Sequence, residues 1–302
     1  MTTQLKKHAH QILTFCLTLF LLSGCSEDTL KNILNNDKTV DGLKEALKIG
    51  TQNATGMLGK NGGYYNDPTV FIDLPPEAKT TIETASKVAG IINVVNSIPL
   101  VNTLIQNSGV DLSAFSSDLS GNLISAFNRG AEKAAPQAVN VFVEAISKMS
   151  INDGKKILFN SNNEAATDYL KENTSASLAI AFSPIINETI SEINVGVGNE
   201  KYNALNAWKL FAEQNNKLAE LIQSSKFQDV LNNPMVSIAL SDSQISAVKS
   251  IQPTDTDLGS YVVGKALDGI FTKIGIEEYK IRTDANARVN ELLQDVFGQL
   301  DN

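Results

Sequence analysis

Residues 261–282 read YVVGKALDGIFTKIGIEEYKIR, and their apolar positions recur every three or four residues. The residues with this spacing include Val263, Leu267, Ile270 and Ile274. Because an α-helix completes a turn in 3.6 residues, these side chains share one face of a helix. The stretch therefore predicts a long amphipathic helix near the C-terminus, with one face buried against the rest of the chain.

The same spacing continues through most of the chain. Helices are predicted to begin near Asp41 and at Pro76, and two more flank a hinge near Pro136. Further helices are predicted over 165–192 with a kink at Pro184, over 201–224, as short pieces over 225–254, and from Val289 to Phe297. Aromatic residues make up only 6% of the chain, which suits helices better than a sheet. The predicted fold class is all-α, an irregular multi-helix bundle.

The segments between these helices are predicted to be extended or irregular. Val70-Phe71-Ile72 has no partner strand nearby and is expected to be an extended strap over the core. Residues 98–111 are expected to be irregular, and residues 151–154 are expected to form a turn in which Asp153 caps a short helix. Gly196-Val197-Gly198 is expected to be a linker.

The N-terminus has the layout of a secretory leader. Lys6 and Lys7 precede an uncharged, mostly apolar run over 12–22, and Ser23-Gly24 then lead to Cys25. The run is shorter than the roughly 20 apolar residues that a membrane span needs. The small residues before the cysteine resemble a lipobox, in which the thiol is joined to a diacylglycerol and the preceding peptide is removed. We expect Cys25 to be the lipid attachment site.

Lipidation at Cys25 would make this a chain anchored to a membrane by its N-terminal diacylglycerol. The predicted organisation is a signal peptide over 1–24, a tether over 25–38 and a single helical domain over 39–300, in which 225–254 is an insertion. Ser26 stands where an inner-membrane retention signal would have Asp, so the outer membrane is expected. Its periplasmic face is the first expectation, and the cell surface the alternative if the acidic tether is an export signal.

Cleavage before Cys25 would also restrict the chemistry of the chain. Both histidines, His8 and His10, would leave with the leader, and the only remaining thiol would be acylated. A Ser-His-Asp triad, a Cys nucleophile and a zinc site of Cys and His are then excluded. The net charge would change from −8 to −10, which argues against nucleic acid as a partner. We expect no cofactor, no metal and no enzymatic activity.

Several stretches together resemble the bacterial envelope family called domain of unknown function 4197. They are Gly42–Leu47, Gly63-Tyr64 with Leu74-Pro75, Asp153-Gly154 with Ile157-Leu158, Ala165–Tyr169 with Phe182 and Pro184, and Lys265–Phe271 with Glu277-Glu278, Ile281-Arg282, Arg288 and Val296-Phe297-Gly298. The resemblance covers roughly residues 40–298 and implies a helical lipoprotein with no established activity. The chain departs from the family pattern at Asp284-Ala285, which still supplies a cap for the last helix.

A polar cluster near the C-terminus contains Asp268, Glu277, Glu278, Arg282 and Arg288. Glu278 and Arg282 stand four residues apart with the acid first, the favourable order for an ion pair on a helix. Asp268 lies among apolar residues and is expected to be partly buried, with one of the two arginines as its partner. Two interpretations remain open, a cleft that binds a polar ligand or an ion network that joins two helices.

A second candidate contact is the glycine-rich loop that carries Tyr64, Tyr65 and Asn66. It is either a recognition tip or a loop that one tyrosine packs onto the bundle.

Three functions remain open from the sequence. The first expectation is a non-catalytic, lipid-anchored domain that binds or scaffolds another envelope protein. The alternatives are a carrier that holds a small apolar ligand between helices, and a hydrolase or lyase that uses carboxylates such as Asp268 and Glu278.

Overall fold

The computed structural model describes residues 27–115, 118–197, 200–254 and 257–298. In chain order the helices are α1 (Glu27–Leu58), α2 (Pro76–Val95), α3 (Pro99–Ser108), α4 (Leu119–Ala134), α5 (Ala138–Lys148), α6 (Ile151–Leu158), α7 (Ala165–Glu192), α8 (Ala204–Gln223), α9 (Ser225–Leu231), α10 (Pro234–Ala239), α11 (Asp242–Lys249), α12 (Leu258–Thr283) and α13 (Glu291–Phe297). Short 3₁₀ turns cover Leu112–Ala114, Ala135–Gln137 and Ala285–Ala287. The all-α prediction is confirmed.

The centre of the bundle is built around α7 and α12. α7 packs against α4, α5 and α12, and α12 also packs against α1. The residues that predicted α12 are buried, as Leu267, Ile270 and Ile274 show. Among the described residues, no helix is both long enough and apolar enough to cross a membrane.

The N-terminal part of α1 lies beside the C-terminal part of α12. Val40 of α1 packs closely against Gly154 of α6, where a β-carbon would lie 2.8 Å from the valine side chain. The last carbonyls of α6 in turn accept hydrogen bonds from Arg282, at the end of α12. Farther along, Asn53 of α1 reaches Glu277. The two helices therefore run in opposite directions, and α6 covers the end where α12 finishes.

The predicted strap and the predicted hinge are both present. Val70 and Ile72 are buried, whereas Phe71 between them is 38% exposed. The buried Asn128 of α4 holds the strap, because its Oδ1 accepts from the Ile72 N–H at 3.0 Å and its Nδ2 donates to the Ile72 carbonyl at 2.8 Å. Pro136 lies in the 3₁₀ turn between α4 and α5, and α9, α10 and α11 are the short helices predicted for 225–254.

Two predicted boundaries differ from those in the structure. Residues 99–108 form α3 although they were expected to be irregular. Pro99 occupies the first turn, where its missing N–H costs nothing, and Gly109 ends the helix in a left-handed conformation. α1 begins at Glu27, well before Asp41, so most of the segment expected to be a tether is helical.

Three further details of the prediction are corrected. Ser150, not Asp153, caps α6, and Asp153 lies in its first turn. Gly196 and Val197 of the expected linker belong to β1 (Asn194–Val197), which pairs antiparallel with β2 (Glu200–Asn203), as in the pair of Val195 with Tyr202. Gly198 lies outside the described residues. Asp284 caps the 3₁₀ turn that follows α12, and α13 is capped by Asn290.

Candidate functional site

Glu278 projects from α12 toward the first turn of α7 and is 7% exposed. Its Oε1 accepts from the Ala166 N–H at 3.0 Å, and its Oε2 accepts from both the N–H and the hydroxyl of Thr167 at 2.8 Å. Glu164, the residue at the cap position of α7, makes no capping hydrogen bond with its side chain. Glu278 therefore caps α7 from another helix, and its negative charge faces the positive end of the α7 dipole.

Arg282 supplies the opposite charge one turn later. Its Nε donates to Glu278 Oε1 at 2.8 Å, so the ion pair predicted from the four-residue spacing forms. Nη1 and Nη2 donate to the carbonyls of Leu158 and Ile157 at 3.2 and 2.9 Å. Because the last carbonyls of a helix carry a partial negative charge, the guanidinium stabilises the C-terminal end of α6.

Arg288 completes the buried ionic network, a name used below for Glu278, Arg282 and Arg288. Only 3% of Arg288 is exposed. Its Nε donates to the Ile281 carbonyl at 3.0 Å, and its Nη2 donates to the Arg282 carbonyl at 3.1 Å. The network thus connects the ends of α6, α7 and α12. This geometry agrees with the ion-network interpretation, because each charged group is occupied by other parts of the chain.

Asp268 and Glu277, the other two members of the predicted cluster, lie outside this network. The Asp268 side chain is 57% exposed and lies 3.6 Å from Lys265 Nζ, so the expectation that it is buried beside an arginine is wrong. The physical reason is the 100° turn per residue, which points Asp268 away from its buried neighbour Leu267. Glu277 accepts from Asn53 Nδ2 at 3.3 Å and from Lys280 Nζ at 2.7 Å.

Asp268 instead lines an open groove between α7 and α12, with a volume of about 660 Å³. We call it the α7–α12 groove. Ile276 and Tyr279 are its exposed apolar residues, at 36% and 54% exposure, and Phe271 is buried beside them. Lys171 Nζ lies 5.9 Å from the centre of the Phe271 ring, within range of a cation–π contact. Further charged residues of the groove are Glu164, Asp168 and Lys280.

Of the cluster predicted from the sequence, Asp268 alone lines this groove. The α7 side was missed because Glu164, Asp168 and Lys171 match the polar surface of an ordinary amphipathic helix. No local signal distinguishes them from other solvent-exposed residues. Their proximity to Tyr279 results from the packing of α7 on α12.

The apolar space beside Glu278 is very small. It has a volume of about 10 Å³ and is lined by Leu47, Ile274 and Phe297, among others. A space of this size is at the lower limit for a single water molecule.

The tyrosine loop is packed onto the bundle by Tyr64, which is fully buried. Its hydroxyl donates to the Ala266 carbonyl at 2.6 Å, and the N–H groups of Tyr64 and Tyr65 donate to Glu132 Oε1 at 3.3 and 3.2 Å. Burial, together with the nearby charge of Glu132, raises the pKa of Tyr64 far above its usual range. Tyr65 is 47% exposed and makes an edge contact with the Phe71 ring, and Asn66 is exposed.

The sequence comparison assigns the family. A family profile described as protein of unknown function (DUF4197) matches residues 33–298. The chain belongs to this family. The matched region includes the whole of α12, the buried ionic network and the tyrosine loop. No curated protein and no solved structure matches the chain.

The predicted leader over 1–24 and the predicted lipid attachment site at Cys25 lie outside the described residues, so both stay predictions. Within the described ranges, no group of three or more His, Cys, Asp or Glu residues is arranged to hold a metal ion.

Proposed function

We propose that this DUF4197 family member is a non-catalytic, lipid-anchored protein of the cell envelope. It binds another envelope protein through the α7–α12 groove. The observation that carries the proposal is the combination in this groove of exposed Ile276 and Tyr279 with charges of both signs. Protein interfaces commonly place aromatic residues at the centre and polar residues around them.

The alternative of an apolar-ligand carrier is less well supported. Small-molecule sites usually enclose about 300–1,000 Å³ and surround most of the ligand. The apolar space beside Glu278 is only about 10 Å³, and the space of about 660 Å³ is an open groove. A groove open to solvent favours a partner that covers it from outside.

The carboxylate pair suggested for a hydrolase is separated by the geometry of α12. Asp268 and Glu278 are ten residues apart on this continuous helix, and a rise of 1.5 Å per residue separates them by about 15 Å. Paired catalytic carboxylates in glycosidases are about 5–9.5 Å apart. Glu278 is also occupied by three groups of α7 and by Arg282.

The proposed anchor rests on the order of charge, apolar run, small residues and Cys25 in the N-terminal sequence. α1 begins two residues after this cysteine. Acylation at Cys25 would therefore connect the bilayer to the bundle through α1. The outer membrane is the proposed location, because Ser26 follows the cysteine.

Site-specific photocrosslinking in the native cell tests the groove. A benzoylphenylalanine at position 279 should crosslink to a protein partner, because Tyr279 is exposed in the groove. The matched control is position 180 of α7, since Ile180 is 78% exposed and lies outside the groove lining. Equal crosslinking at the two positions would contradict the proposal. A small molecule that co-purifies with the unacylated protein in native mass spectrometry would favour the carrier instead.

Fractionation of cells tests the anchor. Cys25→Ala should release the protein from the membrane fraction, because it removes the acylated thiol. Cys16→Ala is the matched control, since this cysteine would leave with the leader. Membrane attachment of the Cys25→Ala protein with a cleaved leader would refute lipidation.

A further inference from the structure

α6 carries apolar and basic side chains on a surface that the bundle leaves uncovered. Ile151 at its start is 48% exposed, and Phe159 directly after its last residue is 64% exposed. Lys155 and Lys156 lie between them in the same short helix. We call the surface formed by these four residues the α6 face.

The two lysines of the α6 face each carry a positive charge. Neither makes an ion pair with a carboxylate in the part of the chain that the structure describes. The acidic residue of the same helix, Asp153, accepts a hydrogen bond from the Ser150 hydroxyl at 2.6 Å. Apolar side chains interspersed with lysines are typical of protein segments that lie on the surface of an anionic bilayer.

The α6 face also lies at the end of the bundle toward which the N-terminus runs. Val40 of α1 packs on Gly154 of α6, and from Val40 the helix continues back to Glu27. These thirteen residues span about 20 Å at 1.5 Å per residue. If Cys25 carries the lipid, the contact between α1 and α6 therefore lies about 20 Å along α1 from the membrane-proximal end of this helix.

The buried ionic network holds this surface in place. Arg282 binds the Ile157 and Leu158 carbonyls directly before Phe159. Arg288 binds the Arg282 carbonyl, and the next residue, Val289, is 70% exposed. The segments that carry Phe159 and Val289 are thus joined through two buried arginines.

We propose that the α6 face lies against the headgroups of an anionic bilayer, so that the acylated protein contacts the membrane at two places. This inference rests on the proposed lipid anchor. It requires α1 to be inclined to the membrane, because a perpendicular α1 would hold α6 about 20 Å away from the headgroups. Phe159 and Ile151 would insert between headgroups, and Lys155 and Lys156 would lie near lipid phosphates.

Tryptophan quenching by brominated lipid tests this contact in the full acylated protein. The protein is reconstituted into vesicles of phosphatidylethanolamine and phosphatidylglycerol with brominated acyl chains. Phe159→Trp should be quenched several-fold more strongly than Ile238→Trp, the matched control, since Ile238 is 88% exposed on α10. The wild-type protein supplies the background from Trp208, which is 5% exposed.

The two lysines supply a second arm of the same experiment. In the Phe159→Trp background, Lys155→Gln and Lys156→Gln should each lower the ratio of docked to undocked α6 about fivefold, with a matching fall in the quenching of the introduced tryptophan. Replacement of phosphatidylglycerol by phosphatidylcholine should act in the same direction. If the quenching of the introduced tryptophan is unchanged by the lysine substitutions and by the change of lipid, the electrostatic part of the proposal is overturned.

Failure of the anchor and failure of the α6 contact are distinguishable. If the wild-type protein does not sediment with the vesicles, the anchor proposal fails and this inference fails with it. If it sediments but the Phe159→Trp and Ile238→Trp proteins are quenched equally, the α6 face does not contact the bilayer and the anchor stands.

Discussion

Two segments of α12 hold other parts of the chain by different kinds of interaction. The N-terminal segment, up to Lys273, holds the tyrosine loop through the bond from Tyr64 to Ala266, the close approach of Tyr64 to Gly269 and the pair between Asp67 and Lys273. The C-terminal segment, after Lys273, holds the ends of α6 and α7 through Glu278 and Arg282. Shape and a partly exposed ion pair act in the N-terminal segment, whereas buried charges act in the C-terminal segment.

This difference predicts different responses to substitution, salt and pH. A buried charge that loses its partner has no access to water, so its desolvation is uncompensated. A partly exposed pair is screened by salt and is partly replaced by water when one partner is lost. The C-terminal segment should therefore be the more sensitive to mutation, and the N-terminal segment the more sensitive to solution conditions.

The largest effect is expected at Glu278. Glu278→Ala should lower the free energy of unfolding by about 3–5 kcal/mol, because it leaves Arg282 buried without its partner and uncaps α7. Urea denaturation measures this change. Glu277→Ala is the matched control on the same helix, and a change of about 1 kcal/mol or less is expected, because its partner Lys280 is 52% exposed. Similar losses in the two variants would contradict the proposed contrast.

An intermediate effect is expected where Tyr64 meets α12. A β-carbon at Gly269 would lie 2.6 Å from Tyr64 Cε1, and the ring is held by its bond to Ala266. Gly269→Ala should therefore destabilise the protein by about 1–3 kcal/mol through overpacking.

Gly264→Ala provides the matched control on the same helix. No atom lies within 4 Å of a β-carbon at this exposed position. The substitution should stabilise the protein by about 0.5–1 kcal/mol, since Ala loses less backbone entropy than Gly in a helix. Thermal unfolding of the two variants should show shifts of opposite sign, and shifts of equal sign would count against the close contact with Tyr64.

The smallest effect is expected at Asp67. The hydrogen bond from Lys273, which lies at 2.5 Å, together with the one from Thr69, lowers the pKa of Asp67 from 3.8 to about 2. Because the folded-state pKa is the lower one, the contribution is complete above about pH 4 and is lost as the pH falls toward about 2.

Asp67→Asn should therefore cost about 1 kcal/mol or less near neutral pH, with the cost reduced by added salt. Urea denaturation across this pH range should show the difference between wild type and variant disappearing toward pH 2. A difference that persists unchanged at pH 2 would show that another interaction is responsible.

Local patterns predicted those parts of the candidate site that lie within one helix. The spacing of Glu278 and Arg282 predicts their ion pair, because residues four apart on a helix are neighbours. The burial of Asp268 was wrongly predicted, since the identity of its chain neighbours does not determine which way a helix face is turned. The capping of α7 by Glu278 was not foreseen, because the two partners are more than a hundred residues apart.

The sequence by itself predicted most helices of this protein and the candidate lipid anchor, because periodicity, capping residues and a leader pattern are local properties of the chain. Only the tertiary structure decided that Tyr64 is buried, that Asp268 lines a groove and that Arg282 supports α6. These outcomes depend on which helix ends meet, and that is set by packing over the whole bundle. A charged side chain becomes a cap or a groove wall according to the surface placed opposite it.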